Sequence, residues 1–300
     1  HWPVMQSEVL FWLRPKEWDI FLDCTVGYCG HAERILEASA PDGIVIGIDR
    51  DLRAIEEGRK RLERFGVRAV LIKGHFVELK RLLADQGISS VQGALFDLGV
   101  SSPQIDDPSR GFSFQSGGPL DMRMDQSAGL TAAEIVNRTD EVDLANIIYE
   151  FGEERYARRI ARAIVRARVN QPFETTNELV SVIEAAVPAH YRRGRIHCAT
   201  RTFQALRIAV NQELEHLEPA LRDAADVLAP GGRLCVISFH SLEDRIVKHT
   251  FRALSAGADG EMEVLTKRPQ VPTGEEIARN PRSRSAKLRV IQRVAKEGHA

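Results

Sequence analysis

Three aspartates close three apolar runs: Asp23 follows Ile20-Phe21-Leu22, Asp49 follows Gly43-Ile44-Val45-Ile46-Gly47-Ile48, and Asp97 follows Val91-Gln92-Gly93-Ala94-Leu95-Phe96. Between the first two lies Cys24-Thr25-Val26-Gly27-Tyr28-Cys29-Gly30-His31, a glycine-containing turn that opens a helical pattern near Ala32-Glu33-Arg34-Ile35-Leu36. Glycines in such a turn let the backbone approach a ligand, a helix N-terminus offers unpaired N–H donors, and an acid at the tip of the second strand can accept both hydroxyls of a ribose. The chemistry suggested is an adenosine cofactor. The glycine spacing by itself equally suits an ordinary strand-to-helix turn.

The elements that position these residues alternate. After an entry helix over Ser7 to Leu13, strands at 20–23, 44–49, Ala69-Val70-Leu71-Ile72 and 91–97 are separated by amphipathic helices, which implies a parallel sheet with helices on both faces. Such a sheet lines up its C-terminal strand ends, so Asp23, Asp49, the Gly74-His75-Phe76 corner and Asp97 should share one edge. Beyond Asp97 the pattern changes to a Gly-, Pro- and Ser-rich stretch, Asp106 to Pro119, carrying Phe112 and Phe114, and then to helical periodicity from Thr131 to about Val187. A long helical pattern from Thr202, broken near Pro219, returns toward the sheet. A turn at Ala229-Pro230-Gly231-Gly232 leads into a buried fifth strand, Arg233 to Phe239, and Ser241 to Asp244 has capping-box spacing for the next helix. Strands at Glu263 to Thr266 and Leu288 to Ile291 would complete a seven-stranded sheet as an antiparallel pair. The expected organisation is α/β: residues 1–105 as the first part of the sheet domain, 106–200 as an inserted loop and helical subdomain, and 201–300 as the second part.

Net charge is -1, but from Phe151 to Val210 there are eleven arginines, no lysine and five acids, so one region could meet a polyanion. Arg158, Arg159, Arg162 and Arg166 approach one face at helical spacing. The four cysteines, Cys24, Cys29, Cys198 and Cys235, form no C-x-x-C pair and have no zinc-finger histidine spacing, so neither a disulfide framework nor a metal is expected. No apolar run reaches membrane-span length and no signal-peptide pattern is present, from which a cytoplasmic protein is expected.

A dehydrogenase would share the glycine loop and Asp49, but would not need an acid followed by a Gly-Ser-Pro loop at strand four, a Pro-Gly-Gly turn before strand five, or a terminal hairpin. Those features fit a class I methyltransferase using S-adenosylmethionine, whose cationic sulfonium benefits from nearby carboxylate. Five separated blocks sharpen this: Asp97-Leu98-Gly99-Val100-Ser101-Ser102-Pro103-Gln104, Arg110-Gly111-Phe112-Ser113-Phe114, Gly118 to Met124, Thr200-Arg201-Thr202-Phe203-Gln204-Ala205-Leu206-Arg207, and Ser238-Phe239-His240-Ser241-Leu242-Glu243-Asp244-Arg245. With Asn280 to Ser285 near the end, they resemble the signature blocks of the bacterial RsmH (MraW) family over nearly the whole chain. The resemblance implies a Rossmann-like fold and N4-methylation of a cytidine in the decoding region of 16S ribosomal RNA, within the small subunit. It implies cofactor contacts at Gly30, His31, Asp49, Phe76, Asp97 and Gln104. Where the family has Gly-Gly-His this loop reads Cys29-Gly30-His31, so Cys29 would contact the cofactor through its backbone.

For the reaction, an acceptor for an N4–H would localise electron density on the attacking nitrogen and later receive the proton. The loop from Asp97 to Ser102, which includes Ser101, is the best placed, through a carboxylate or a backbone carbonyl, with His240 as a base after strand five or as a residue orienting its loop. A C5-cytosine mechanism would need a cysteine beside the base, and none is so placed. Phe112 and Phe114 could stack on a base or anchor their loop, while Arg201, Arg207 and the helix bearing Arg158 and Arg162 could contact phosphates. Alternative readings are a methyltransferase for another RNA or a protein, and a ribosome-assembly factor that binds without turnover.

Overall fold

The computed structural model describes residues 3–115, 117–257 and 260–295. In chain order it begins with helix α1 (Gln6–Leu13), strand β1 (Ile20–Asp23), α2 (Gly30–Ala38), β2 (Ile44–Asp49), α3 (Leu52–Leu62), β3 (Ala69–Lys73), α4 (Leu79–Asp85) and β4 (Val91–Asp97). Helices then run without strands: α5 (Ser102–Asp106), α6 (Ala132–Arg138), α7 (Glu141–Gly152), α8 (Ala157–Asn170), α9 (Thr176–Ala186), α10 (Ala189–Arg192) and α11 (Thr200–Asn211). The chain ends with α12 (Leu217–Asp226), β5 (Leu228–Ser238), α13 (Ser241–Ser255), β6 (Met262–Val264), α14 (Gly274–Arg279) and β7 (Lys287–Arg293).

Two compact units result, one of residues 1–99 with 214–300 and one of residues 100–213. The first holds a seven-stranded sheet in the order β3-β2-β1-β4-β5-β7-β6, parallel except for β7, which lies antiparallel between β5 and β6. Central strands buried on both faces need apolar residues at every position. Phe21, Val45, Leu95, Cys235 and Val290 face one core with α1, α2 and α3, while Leu22, Ile46, Phe96, Val236 and Ile291 face the other with α4, α12 and α13. Ala229 to Gly232 forms a bulge rather than a turn ahead of the strand: Leu228 pairs with Val91 and Arg233 with Gly93, so four residues stand opposite Gln92 alone.

The helical unit has its own core, in which Leu144, Ile148, Ile160, Ile164, Leu179 and Ile183 pack with Phe203 and Leu206 of α11. The boundary expected at residue 201 therefore moves to 214: the buried face of α11 belongs to the helical core, and the break at 212–216 precedes Pro219. The stretch around Asp106 to Pro119 is tied down by its backbone. The Arg110 guanidinium, 2% exposed, donates to the carbonyls of Arg123 and Met124, and a Cβ on Gly111 would stand 2.2 Å from the Pro119 carbonyl oxygen. No helix among the described residues is long and apolar enough to cross a membrane.

Candidate active site

The chain reverses its direction of progress across the sheet between β1 and β4, and ligands of open α/β sheets sit outside the carboxyl ends of strands at such a point. Asp23 and Asp97 end those two strands, and Asp49 ends the neighbouring β2. Burial pushes the Asp23 carboxyl up to about 7, with the charges of Asp97 and Asp49 adding to the effect, against the lowering influence of His31 and of the Thr25 N–H. Burial likewise carries Asp49 up to about 6, although its oxygens accept N–H bonds from Gly27 and Asp51, both at 2.8 Å. These bonds fasten the glycine turn to the tip of β2. The turn is laced to the other strand as well, since Cys24 donates to the Leu95 carbonyl and the Asp97 N–H donates to Thr25 Oγ1 at 2.7 Å.

His31, in the first turn of α2, is 5% exposed and holds Nε2 3.5 Å from Asp97 Oδ2, too poorly aligned for a hydrogen bond. Nε2 of His31 and Oδ1 of Asp97 are thus buried polar atoms with no hydrogen-bond partner, a costly arrangement that a bound polar group would relieve. Phe76 is half-buried against Phe96, ring centroids 5.6 Å apart, and against His75 at 4.2 Å. Burial, together with Arg50 and His216, lowers His75 to about 4, so this ring is neutral at pH 7. The sheet edge therefore offers three carboxylates, a neutral aromatic corner and a buried imidazole.

Cys29 adopts left-handed backbone geometry (φ 63°) as N-cap of α2, and its side chain is fully buried. Its sulfur packs in the core against α3, where a Cβ on Gly58 would approach it to 2.5 Å. The extra side chain at this position is accommodated by the missing one at 58. Burial raises the Cys29 thiol to about 12 and that of Cys235 well above its ordinary value, so both are inert packing groups.

The remaining expected residues have structural partners. Ser101 and Gln104 form a reciprocal capping box on α5, Gln104 Oε1 accepting the Ser101 N–H at 2.9 Å and Ser101 Oγ accepting the Gln104 N–H at 3.4 Å. His240, not Ser241, is the N-cap of α13: its side chain accepts the Glu243 N–H, and the Glu243 carboxylate accepts the N–H groups of Phe239 and His240. The box is shifted by one residue because Glu243, the better N3 partner, lies three beyond His240. Phe114 packs on Phe203 and His197 with centroids 5.0 and 4.7 Å away, and Phe112 lies half-buried beside Arg110. Arg158, Arg159, Arg162 and Arg166 are exposed on α8, with Arg162 reaching Glu141 at 3.2 Å. Arg201 donates to the Glu153 carbonyl, and Arg207 makes a two-pronged pair with Glu213 at 2.8 and 2.9 Å. Asp23 lies at the edge where its strand-end position put it, whereas sequence reasoning did not single out Thr25, whose hydroxyl accepts the Asp97 N–H and which carried no signal.

The profile of the MraW methylase family matches residues 1–294. The chain belongs to the MraW methylase family. Among curated relatives, the ribosomal RNA small subunit methyltransferase H of Syntrophotalea carbinolica is 50% identical, with 98% of each chain covered. The protein of the same name from Geobacter sulfurreducens is 51% identical over 98% of this chain and 99% of its own. Solved structures align more loosely, for instance an rRNA methylase from Streptococcus thermophilus at 11% identity and a TM-score of 0.43 over 96% of this chain and 92% of its own. As a member of the MraW methylase family the chain is a methyltransferase, and the sheet edge just described is where its fold presents reactive groups.

Proposed function

We propose that this chain transfers a methyl group from S-adenosylmethionine to N4 of a cytidine in the decoding region of 16S ribosomal RNA, in the small ribosomal subunit. The observation that carries the reading is half-identity over 98% of the chain to ribosomal RNA small subunit methyltransferases H. The residues at the sheet edge suit the cofactor. Buried, unpartnered polar atoms on His31 and Asp97 suit a polar ligand, and a cation beside Asp23, Asp49 and Asp97 would offset the burial that holds the first two partly protonated. When bound, S-adenosylmethionine supplies an electrophilic methyl group on a positively charged sulfur.

The chain's residues then have separable tasks. Asp49 holds the Gly27 amide and retains acceptor capacity for ribose hydroxyls, while Phe76 offers an aromatic face at the same edge. Asp97 accepts an N4–H of the cytosine, which concentrates electron density on the attacking nitrogen and gives the departing proton a destination. No covalent enzyme intermediate is required, and alignment in a preorganised polar site supplies most of the acceleration.

The test is transfer of labelled methyl from S-adenosylmethionine to small ribosomal subunits lacking this modification, followed by nucleoside analysis. Label in N4-methylcytidine is the expected result. Label in another nucleoside or in protein moves the substrate assignment, and cofactor binding without any transfer makes the chain an assembly factor. Asp97→Asn is expected to slow single-turnover methylation by about 10²-fold or more with a much smaller change in cofactor affinity. The reverse pattern would leave Asp97 a cofactor ligand only.

A further inference from the structure

In the helical unit, three different metal-binding side chains converge, none of them assigned above to the methyl-transfer chemistry. Glu184 lies in the last turn of α9, and His197 and Cys198 lie in the loop just before α11. One ligand atom from each stands within 4.8 Å of the others, and His197 Nε2 is 3.4 Å from Glu184 Oε1. We propose that Glu184, His197 and Cys198 form a zinc site.

The geometry is close to what zinc requires. Bonds of about 2.0–2.3 Å to nitrogen, oxygen and sulfur, arranged tetrahedrally, place neighbouring ligand atoms about 3.4–3.7 Å apart. The His–Glu edge already has this length, and the sulfur lies within 4.8 Å of both other ligand atoms. The donor set, one imidazole, one thiolate and one carboxylate, selects a borderline cation such as Zn²⁺ over Mg²⁺ or Ca²⁺, which prefer oxygen alone. One thiolate and one carboxylate also neutralise the charge of a divalent ion, which favours a partly enclosed position. Cys198 is 3% exposed, whereas Glu184 and His197 are each nearly half exposed, so the fourth position opens to water.

Without a cation the thiol is held protonated: burial and then the Glu184 charge raise its pKa. Binding therefore releases the Cys198 proton to solvent and forms a Zn–S bond with no redox change. In the metal-free arrangement His197 Nδ1 accepts the Ala199 N–H at 3.2 Å, so the ring proton sits on Nε2 facing Glu184. Ligation through Nε2 moves that proton to Nδ1, which can then no longer accept the Ala199 N–H, so the His197 ring turns away from that amide as it takes the metal. The site would join the end of α9 to the start of α11 and fix the His197 ring on which Phe114 rests.

The experiment uses the full chain stripped of metal by a chelator and titrated with Zn²⁺ and with Co²⁺. One equivalent of Zn²⁺ is expected to bind with a Kd below about 10 µM, releasing one proton and raising the melting temperature. The Co²⁺ form should show near-ultraviolet thiolate charge-transfer absorption. Cys198→Ser should abolish both signals, and Glu184→Gln, at a half-exposed position where misfolding is not a concern, should weaken Zn²⁺ binding at least about tenfold. Failure to bind one equivalent, or binding unchanged in either variant, overturns the proposal.

Discussion

Asp23 and Asp49 titrate near neutrality because removing a carboxylate from water outweighs the N–H bonds each one receives. Both folded-state values lie above the ordinary value for aspartate, so each group's contribution to stability is full below about pH 4 and is lost as pH rises through 6 to 7. Asp23→Asn keeps the oxygen that the Thr25 N–H donates to, and melting temperatures from pH 4 to 8 should show the variant gaining on the parent as pH rises. A cation binding beside these carboxylates favours their ionised forms. Calorimetry across pH 5–8 should therefore find affinity for S-adenosylmethionine rising with pH more steeply than affinity for the demethylated product, whose sulfur is neutral; parallel curves would remove both aspartates from the cation's environment. His240 offers a cleaner separation of roles. As an N-cap it is replaceable by Asn, so His240→Asn should hold kcat near that of the parent, while His240→Ala loses about 1 kcal/mol of stability. A catalytic base would instead lose about 10²-fold or more in both variants.

The turn between β1 and α2 depends on α3 as much as on its own sequence. Cys29 occupies a left-handed position usually left to glycine, and its sulfur fills the space that Gly58 leaves on the facing helix. Gly58→Ala should lower stability by about 1–3 kcal/mol through overpacking, even though alanine is intrinsically the better helix former by about 1 kcal/mol. Cys29→Gly in the same chain clears the clash, so denaturant melts of the four chains in a double-mutant cycle should show strong favourable coupling; additive effects would mean that the two sites do not share this space. The helix caps work in the same local way. Thr131 and Thr175 close capping boxes with Glu134 and Glu178, the spacing by which the helices of the inserted unit begin where their sequences say they should.

At the scale of the whole molecule a net charge of -1 coexists with one arginine-rich stretch, eleven arginines against five acids from Phe151 to Val210. Arg158, Arg162 and Arg166 recur every fourth residue along α8, with Arg159 beside them, and all four are exposed. Changing the four to Gln should raise KM for small subunits by about tenfold or more, lower the salt dependence of binding by about 0.7–0.9 in slope for each phosphate no longer neutralised, and leave S-adenosylmethionine affinity alone. A filter-binding salt series checks it. An unchanged slope would assign α8 a solvated face with no part in RNA binding. Arg207 is expected to behave differently, because its bidentate pair with the largely buried Glu213 makes it part of the helical unit's frame.

The alternation of apolar runs with amphipathic helices, and the acids at the ends of those runs, determined the parallel sheet and the edge where its acids gather, because strand and helix periods are local properties of the chain. The family blocks likewise belong to linear sequence. Tertiary structure alone decided that the Cys29 sulfur fills the space at Gly58 and that Arg201 is committed to the Glu153 carbonyl. It also moved α11 into the helical core and brought Glu184 to His197 and Cys198. These depend on which residues distant in sequence come within a few ångströms of one another and on how much water they exclude, and neither is a property of spacing along the chain.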